Sequence, residues 1–184
     1  MVDGPDAALT RADLLGHPAR LAPALLGCRL LVLGADGQVE ARIVEVEAYG
    51  SVGEDPGSHA HRGRTRRNAT MFGPVGHLYV YFTYGMHWCA NVVVHQPEFA
   101  GAVLLRAARI TTGVAVVRAR RGMGVVARDL ARGPARLTMA LGLTGEHDGV
   151  DLISAASPLR LARGPAPVSY THLRAHETKA NLVC

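Results

Sequence analysis

Two stretches of alternating residues, each doubled back around glycine, commit this chain to antiparallel strands. Residues 77–94 read HLYVYFTYGMHWCANVVV. Leu78, Val80 and Phe82 alternate with Tyr79, Tyr81 and Thr83, Gly85 marks a turn, and an apolar run returns. Successive strand side chains point to opposite faces, so one face is a core face and the other carries aromatic hydroxyls. Residues 79–88 hold three of the five tyrosines and the only tryptophan of a chain that is 5% aromatic. Packing on a sheet face accounts for Tyr79 and Trp88. It does not account for Tyr84, which sits next to glycine at the hairpin tip, where a wedge between stacked bases would sit.

The other stretch, residues 28–49, reads CRLLVLGADGQVEARIVEVEAY, a hairpin turning at 34–37 with Asp-Gly inside. Alternation there places Ile43, Glu45 and Glu47 on one face and Val44 and Val46 on the other. Glu47 thus ends a largely apolar strand, where a carboxylate is either solvated or poised as a general base. A Gly-rich, basic loop follows over 50–70, long enough to be functional or disordered. Residues 101–107 form a further apolar strand broken by Arg106.

Helices are expected at the periphery. Thr10 can cap a first short helix and Pro18 can open a second. Others are expected over 111–121 and from Pro134 to Leu141, and residues 151–164 add strand-like material. Strands grouped centrally with peripheral helices indicate a single α+β domain with an antiparallel sheet.

At 184 residues and 48% hydrophobic content the chain can bury a core. It has no apolar run long enough for a membrane-spanning helix and no secretory signal pattern. Cys28, Cys89 and Cys184 are few and widely spaced, which fits free thiols in a reducing cytoplasm. The net charge is +5, and nineteen of the twenty cations are Arg. Clusters at 62–67 and 118–121 suit phosphates, although a GC-rich coding sequence would also favour Arg. The only lysine, Lys179, falls within PVSYTHLRAHETKANLVC, where composition shifts abruptly; residues 167–184 are read as a non-native or disordered tail. His59 and His61 with Asp55 have the spacing of metal ligands, but no third His or Cys pair stands at a convincing distance, so a polar pocket histidine is the better reading, and no metal or cofactor is expected.

In order along the chain, VEVEAYG, SHAHRG, TRRN, MFGPVGHLYVYFTYGMHWCANVV, AVLLRA and LARGPARLTMALGL resemble the 3-methyladenine (alkyladenine) DNA glycosylase family. The resemblance covers roughly residues 10–165. It implies a curved, open-barrel-like sheet with a protruding hairpin, and a monofunctional glycosylase that flips alkylated or deaminated purines from duplex DNA. Glu47 matches the general base. Tyr49, His59 and Tyr81 match residues enclosing the flipped base, Asn91 the residue that rejects guanine, and Arg106 an arginine lining the site. Tyr84 matches the wedge, with Met86 beside it on the tip. Arg62, Arg64, Arg66 and Arg67 are expected to meet phosphates. A monomer working on nucleoid DNA in the cytoplasm is the simplest expectation.

The chemistry is consistent with that reading. Cleaving an N-glycosidic bond builds positive charge on the sugar, which a carboxylate both stabilises and relieves by activating water. A lyase needs an amine nucleophile, and residues 1–166 contain no lysine. Relatives continue through further strands beyond GLTGEHDGVDL, so the domain over 1–166 is expected to be incomplete at its C-terminus. An inactive truncated member and a non-catalytic binder of damaged DNA are the alternatives.

Overall fold

In the computed structural model, residues 9–164 are described, together with the backbone of residues 172–176 and 179–183. Six antiparallel strands are β1 (Arg29–Gly34), β2 (Gly37–Tyr49), β3 (Leu78–Thr83), β4 (His87–Val93), β5 (Ala102–Thr112) and β6 (Leu159–Ala162). They curl into a half-barrel in the order β3-β4-β5-β2-β1-β6. The two hairpins predicted from alternation are β1–β2 and β3–β4. Two further strands, β7 (His172–His176) and β8 (Lys179–Val183), pair with each other, and β8 also pairs with β2 at Glu45–Glu47. The expected boundary at residue 166 lies outside the described residues, as do 167–171, 177–178 and 184 of the expected tail.

Three helices are peripheral: α1 (Pro18–Leu25), α2 (Val114–Arg121) and α3 (Pro134–Leu141). Pro18 and Pro134 open their helices as expected, since a first-turn proline gives up no intrahelical bond. The expected cap at Thr10 is reversed. Its amide and hydroxyl both donate to Asp13, and the element there is a single 3-10 turn, Ala12–Leu14. The helix expected over 111–121 starts only at Val114, because β5 stays paired with β2 through Thr112. Gly113 makes the switch at φ +79°, where an added Cβ would lie 2.2 Å from the Gln38 carbonyl oxygen. Only glycine fits there.

The main core lies on one face of the sheet. Leu30, Val39, Ala41, Ile43, Val46, Leu78, Val80, Val92, Val103 and Leu105 pack there with Leu137 and Leu141 of α3. A smaller cluster sits on the opposite face: Ala60, Met71, Tyr79, Val93, Ala100 and Ala102, with Tyr81 packed against it. This second cluster underlies the candidate site.

One expected face is corrected. Ile43 does not share a face with Glu45 and Glu47; it packs with Val46 in the main core. The β2–β5 register slips between Ile43 and Glu45, which skips Val44, and again between Glu45 and Val46, which skips Arg106 on β5. Bulges of this kind re-aim side chains next to functional sites. Here they turn Glu45, Glu47 and Arg106 toward one another.

Candidate active site

An open pocket of about 270 Å³ lies on the face of the small cluster, lined by Tyr49, Gly57, His59, Met71, Tyr79, Tyr81 and Asn91. Strand alternation brings Tyr79 and Tyr81 to it from β3, Asn91 from β4 and Tyr49 from the end of β2. Four of the five expected pocket residues, Tyr49, His59, Tyr81 and Asn91, therefore meet, although up to 42 positions separate them in sequence; the fifth, Arg106, stands beside the pocket on Glu47 and does not line it.

The aromatic walls are ordered by mutual contact. His59 meets Tyr81 edge-on, with ring centroids 4.5 Å apart, and its Nδ1 lies 2.9 Å from the Tyr79 hydroxyl. Tyr79 and Tyr81 stand 5.4 Å apart. Partial burial, reinforced by the Arg67 guanidinium, holds the His59 pKa below its ordinary value. Desolvation pushes all three tyrosine hydroxyls up, so they stay neutral donors. Asn91 is buried, and its Nδ2 donates to the Tyr79 carbonyl at 3.2 Å.

Beside the pocket stands a carboxylate–guanidinium group. Glu47 is 4% exposed. Arg106 donates from Nη1 to Glu47 Oε2 at 2.5 Å and from Nε to Glu45 Oε1 at 2.9 Å. Burial works against the Arg106 charge, but the hydrogen bonds to Glu45 and Glu47 outweigh it and raise its pKa. Tyr49 joins this group to the pocket: it lines the pocket two residues after Glu47 on β2, and burial together with the Glu47 carboxylate holds its hydroxyl protonated.

The loop over 50–68 is fixed by one residue that sequence reasoning passed over. Buried Asn68 donates from Nδ2 to the carbonyls of His59 (2.7 Å) and Gly63 (3.0 Å), and its Oδ1 accepts from the Thr65 amide at 2.6 Å. His59 is thereby held at the pocket mouth. Tyr79, Met71 and Gly57 also escaped the sequence reading as lining residues. Alternation put Tyr79 on the face of Tyr81 and could have found it; nothing local marks the other two.

At the hairpin tip Tyr84 is 88% exposed and Met86 66% exposed. Tyr84 adopts φ +52° and Gly85 φ +64°, and the Met86 amide closes the turn onto the Thr83 carbonyl at 3.2 Å. A bulky residue with positive φ is uncommon and strained. Of the expected phosphate contacts, Arg62, Arg64 and Arg66 are exposed on the loop. Arg67 is differently engaged: it donates to the Phe82 carbonyl at 3.0 Å and lies 5.7 Å over the Tyr81 ring, bracing the hairpin against the pocket.

Residues 13–178 match the methylpurine-DNA glycosylase (MPG) family. The chain belongs to that family. Among its relatives is a protein of Leifsonia xyli subsp. xyli, 53% identical over 148 residues, which are 78% of this chain and 70% of the relative. Another, from Burkholderia lata, is 49% identical over 173 residues, or 88% of this chain and 81% of the relative. A third, from Streptomyces avermitilis, is 46% identical over 170 residues, or 91% and 79% respectively. All three carry the name "Putative 3-methyladenine DNA glycosylase". As a member of the methylpurine-DNA glycosylase family the protein is a DNA glycosylase of base excision repair, a hydrolase acting on N-glycosyl bonds. Among the described residues no helix is long and apolar enough to cross a membrane.

Proposed function

We propose that the protein excises alkylated or deaminated purines, 3-methyladenine among them, from duplex DNA, with Glu47 as the general base. The observation that carries this is the meeting of a buried carboxylate with an aromatic pocket, since Tyr49, two residues after Glu47 on β2, lines that pocket. A purine extruded from the stack lies between the rings of Tyr49, Tyr81 and His59. A purine alkylated at N3 or N7 is cationic, and its attraction to electron-rich ring faces favours it over a neutral base. Asn91, locked by the Tyr79 carbonyl, presents a fixed amide that clashes with the exocyclic amine of guanine. Glu47 deprotonates the attacking water and offsets the charge growing on the sugar, while Arg106 keeps the carboxylate aimed.

Tyr84 fills the gap left by the base and so recovers part of the lost stacking, and Met86 supports it at the groove. Arg62, Arg64 and Arg66 hold phosphates without selecting the base. The enzyme works as a monomer in the cytoplasm on nucleoid DNA and leaves an abasic site without cutting the strand.

Single-turnover excision from duplexes bearing hypoxanthine or a methylated purine tests the assignment. Glu47→Gln is expected to slow excision by about 10²–10⁴-fold while lesion binding persists. Excision at the wild-type rate by that variant would remove Glu47 from the mechanism. Loss of binding along with excision would favour a structural role.

A further inference from the structure

A second charged feature adjoins the Arg106 group at Glu45. A groove of about 780 Å³ runs between the bulged part of the β2–β5 ladder and the segment 127–132, lined by Val44, Glu45, Ala107, Ala108, Arg109, Ala127, Arg128 and Arg132. That segment is held over the sheet by the Ala108 amide on the Ala131 carbonyl and by a bridge between Ala107 and Arg132. The only carboxylate in the lining is Glu45, already engaged by Arg106. Arg109 and Arg128 are exposed and have no ion-pair or hydrogen-bond partner among the described residues, and Arg132 has only a loose 3.7 Å contact with Asp129 at 70% side-chain exposure.

The sheet beneath adds to this charge. Arg109 stands directly opposite Arg42 on β2, which in turn stands opposite Arg29 on β1. Three arginines in register on neighbouring strands, about 5 Å apart, repel one another unless carboxylates or anions sit among them. Arg29 and Arg42 have partners of their own, so Arg109, Arg128 and Arg132 are left to meet an anion from outside.

We propose that this groove binds the phosphate backbone of the duplex, so that DNA is gripped on both sides of the extruded nucleotide: by the 62–66 loop on one side, and by Arg109, Arg128 and Arg132 on the other. Continuity supports this assignment, since one guanidinium, Arg106, touches both the groove residue Glu45 and the site carboxylate Glu47. Arginine forks match phosphate geometry, and the family's substrate is itself a polyanion. The proposal deepens the functional reading above and rests on DNA lying across that site.

The test is the salt dependence of binding to a lesion-bearing duplex and to the same duplex undamaged. Replacing Arg109, Arg128 and Arg132 together by Gln is expected to flatten the plot of log affinity against log salt by about 0.9 for each phosphate no longer neutralised, up to roughly 2.7. The ratio of lesion to undamaged affinity should hold, because phosphates carry no base information. Lys at the three positions should restore the slope. A triple Gln variant with wild-type melting and an unchanged slope overturns the proposal, as does a Lys variant whose slope is as flat as that of the Gln variant. If the triple variant fails to fold, exposed Arg128→Gln alone decides, with an expected flattening of about 0.9. Glu47→Gln measured alongside keeps the two readings apart: it should slow excision as above with the slope intact, so either result can fail without the other.

Discussion

Arg106 reaches Glu47 across the sheet, its Nη1 donating to Oε2 at 2.5 Å, although 59 positions separate the two residues. The guanidinium also holds Glu45, so one cation engages two carboxylates on the same face.

Removing that cation should therefore cost both stability and excision. Arg106→Ala removes the guanidinium that both Glu45 and the nearly buried Glu47 engage. The loss should fall below the ~3–5 kcal/mol of a fully buried broken pair, because the arginine side chain is itself 32% exposed. Arg106→Lys keeps the charge but not the two-pronged grip, so it should recover melting temperature more fully than excision rate. Thermal denaturation and single-turnover kinetics on the same three proteins check this; equal recovery of both would argue against a role in aiming Glu47.

Tyr84 pairs a strained backbone with an exposed side chain, and the two can be separated. Tyr84→Gly relieves a left-handed conformation and should leave the fold unharmed or raise its stability by about 1 kcal/mol. The same change removes the wedge and should weaken lesion binding by about 1–3 kcal/mol, the scale of one base–aromatic stack. Tyr84→Ala should weaken binding equally without the gain in stability. A drop in melting temperature for the glycine variant would return Tyr84 to a structural role.

His59 should titrate below its ordinary value of 6.5, because partial burial and then Arg67 disfavour its charged form. The folded state thus binds fewer protons there than the unfolded chain. Its contribution to stability is complete above pH 6.5 and declines as the pH falls from there through the folded-state pKa. Nuclear magnetic resonance titration of the imidazole reads this directly. Arg67→Met should move the midpoint upward, and an unmoved midpoint would mean that Arg67 does not bear on His59.

Much of this molecule is written locally. Alternation in residues 28–49 and 77–94 specified both hairpins, Pro18 and Pro134 marked two helix starts, and glycine beside Tyr84 marked the exposed tip. Each of those depends on neighbours within a few residues, where side-chain period and backbone preference act directly. The ordered series of motifs pointed to the family for the same reason, since it is a property of the chain alone.

Other features depend on partners far away in sequence. The bulges that separate Ile43 from the face of Glu47 exist only because β2 pairs with β5, some sixty residues on. Alternation read without that partner sent Ile43 to the wrong face. Pairing through Thr112 likewise delayed α2 to Val114, overriding any local helical preference. Tyr79 looked like a sheet residue until its hydroxyl met His59, and Asn68 looked like a loop residue until it held His59 in place. The sequence by itself determined which strands form and which side chains alternate along them. Which of those side chains meet to make a pocket, a paired carboxylate and a basic groove was decided only by the tertiary structure, because pairing register and bulges arise between strands and not within them.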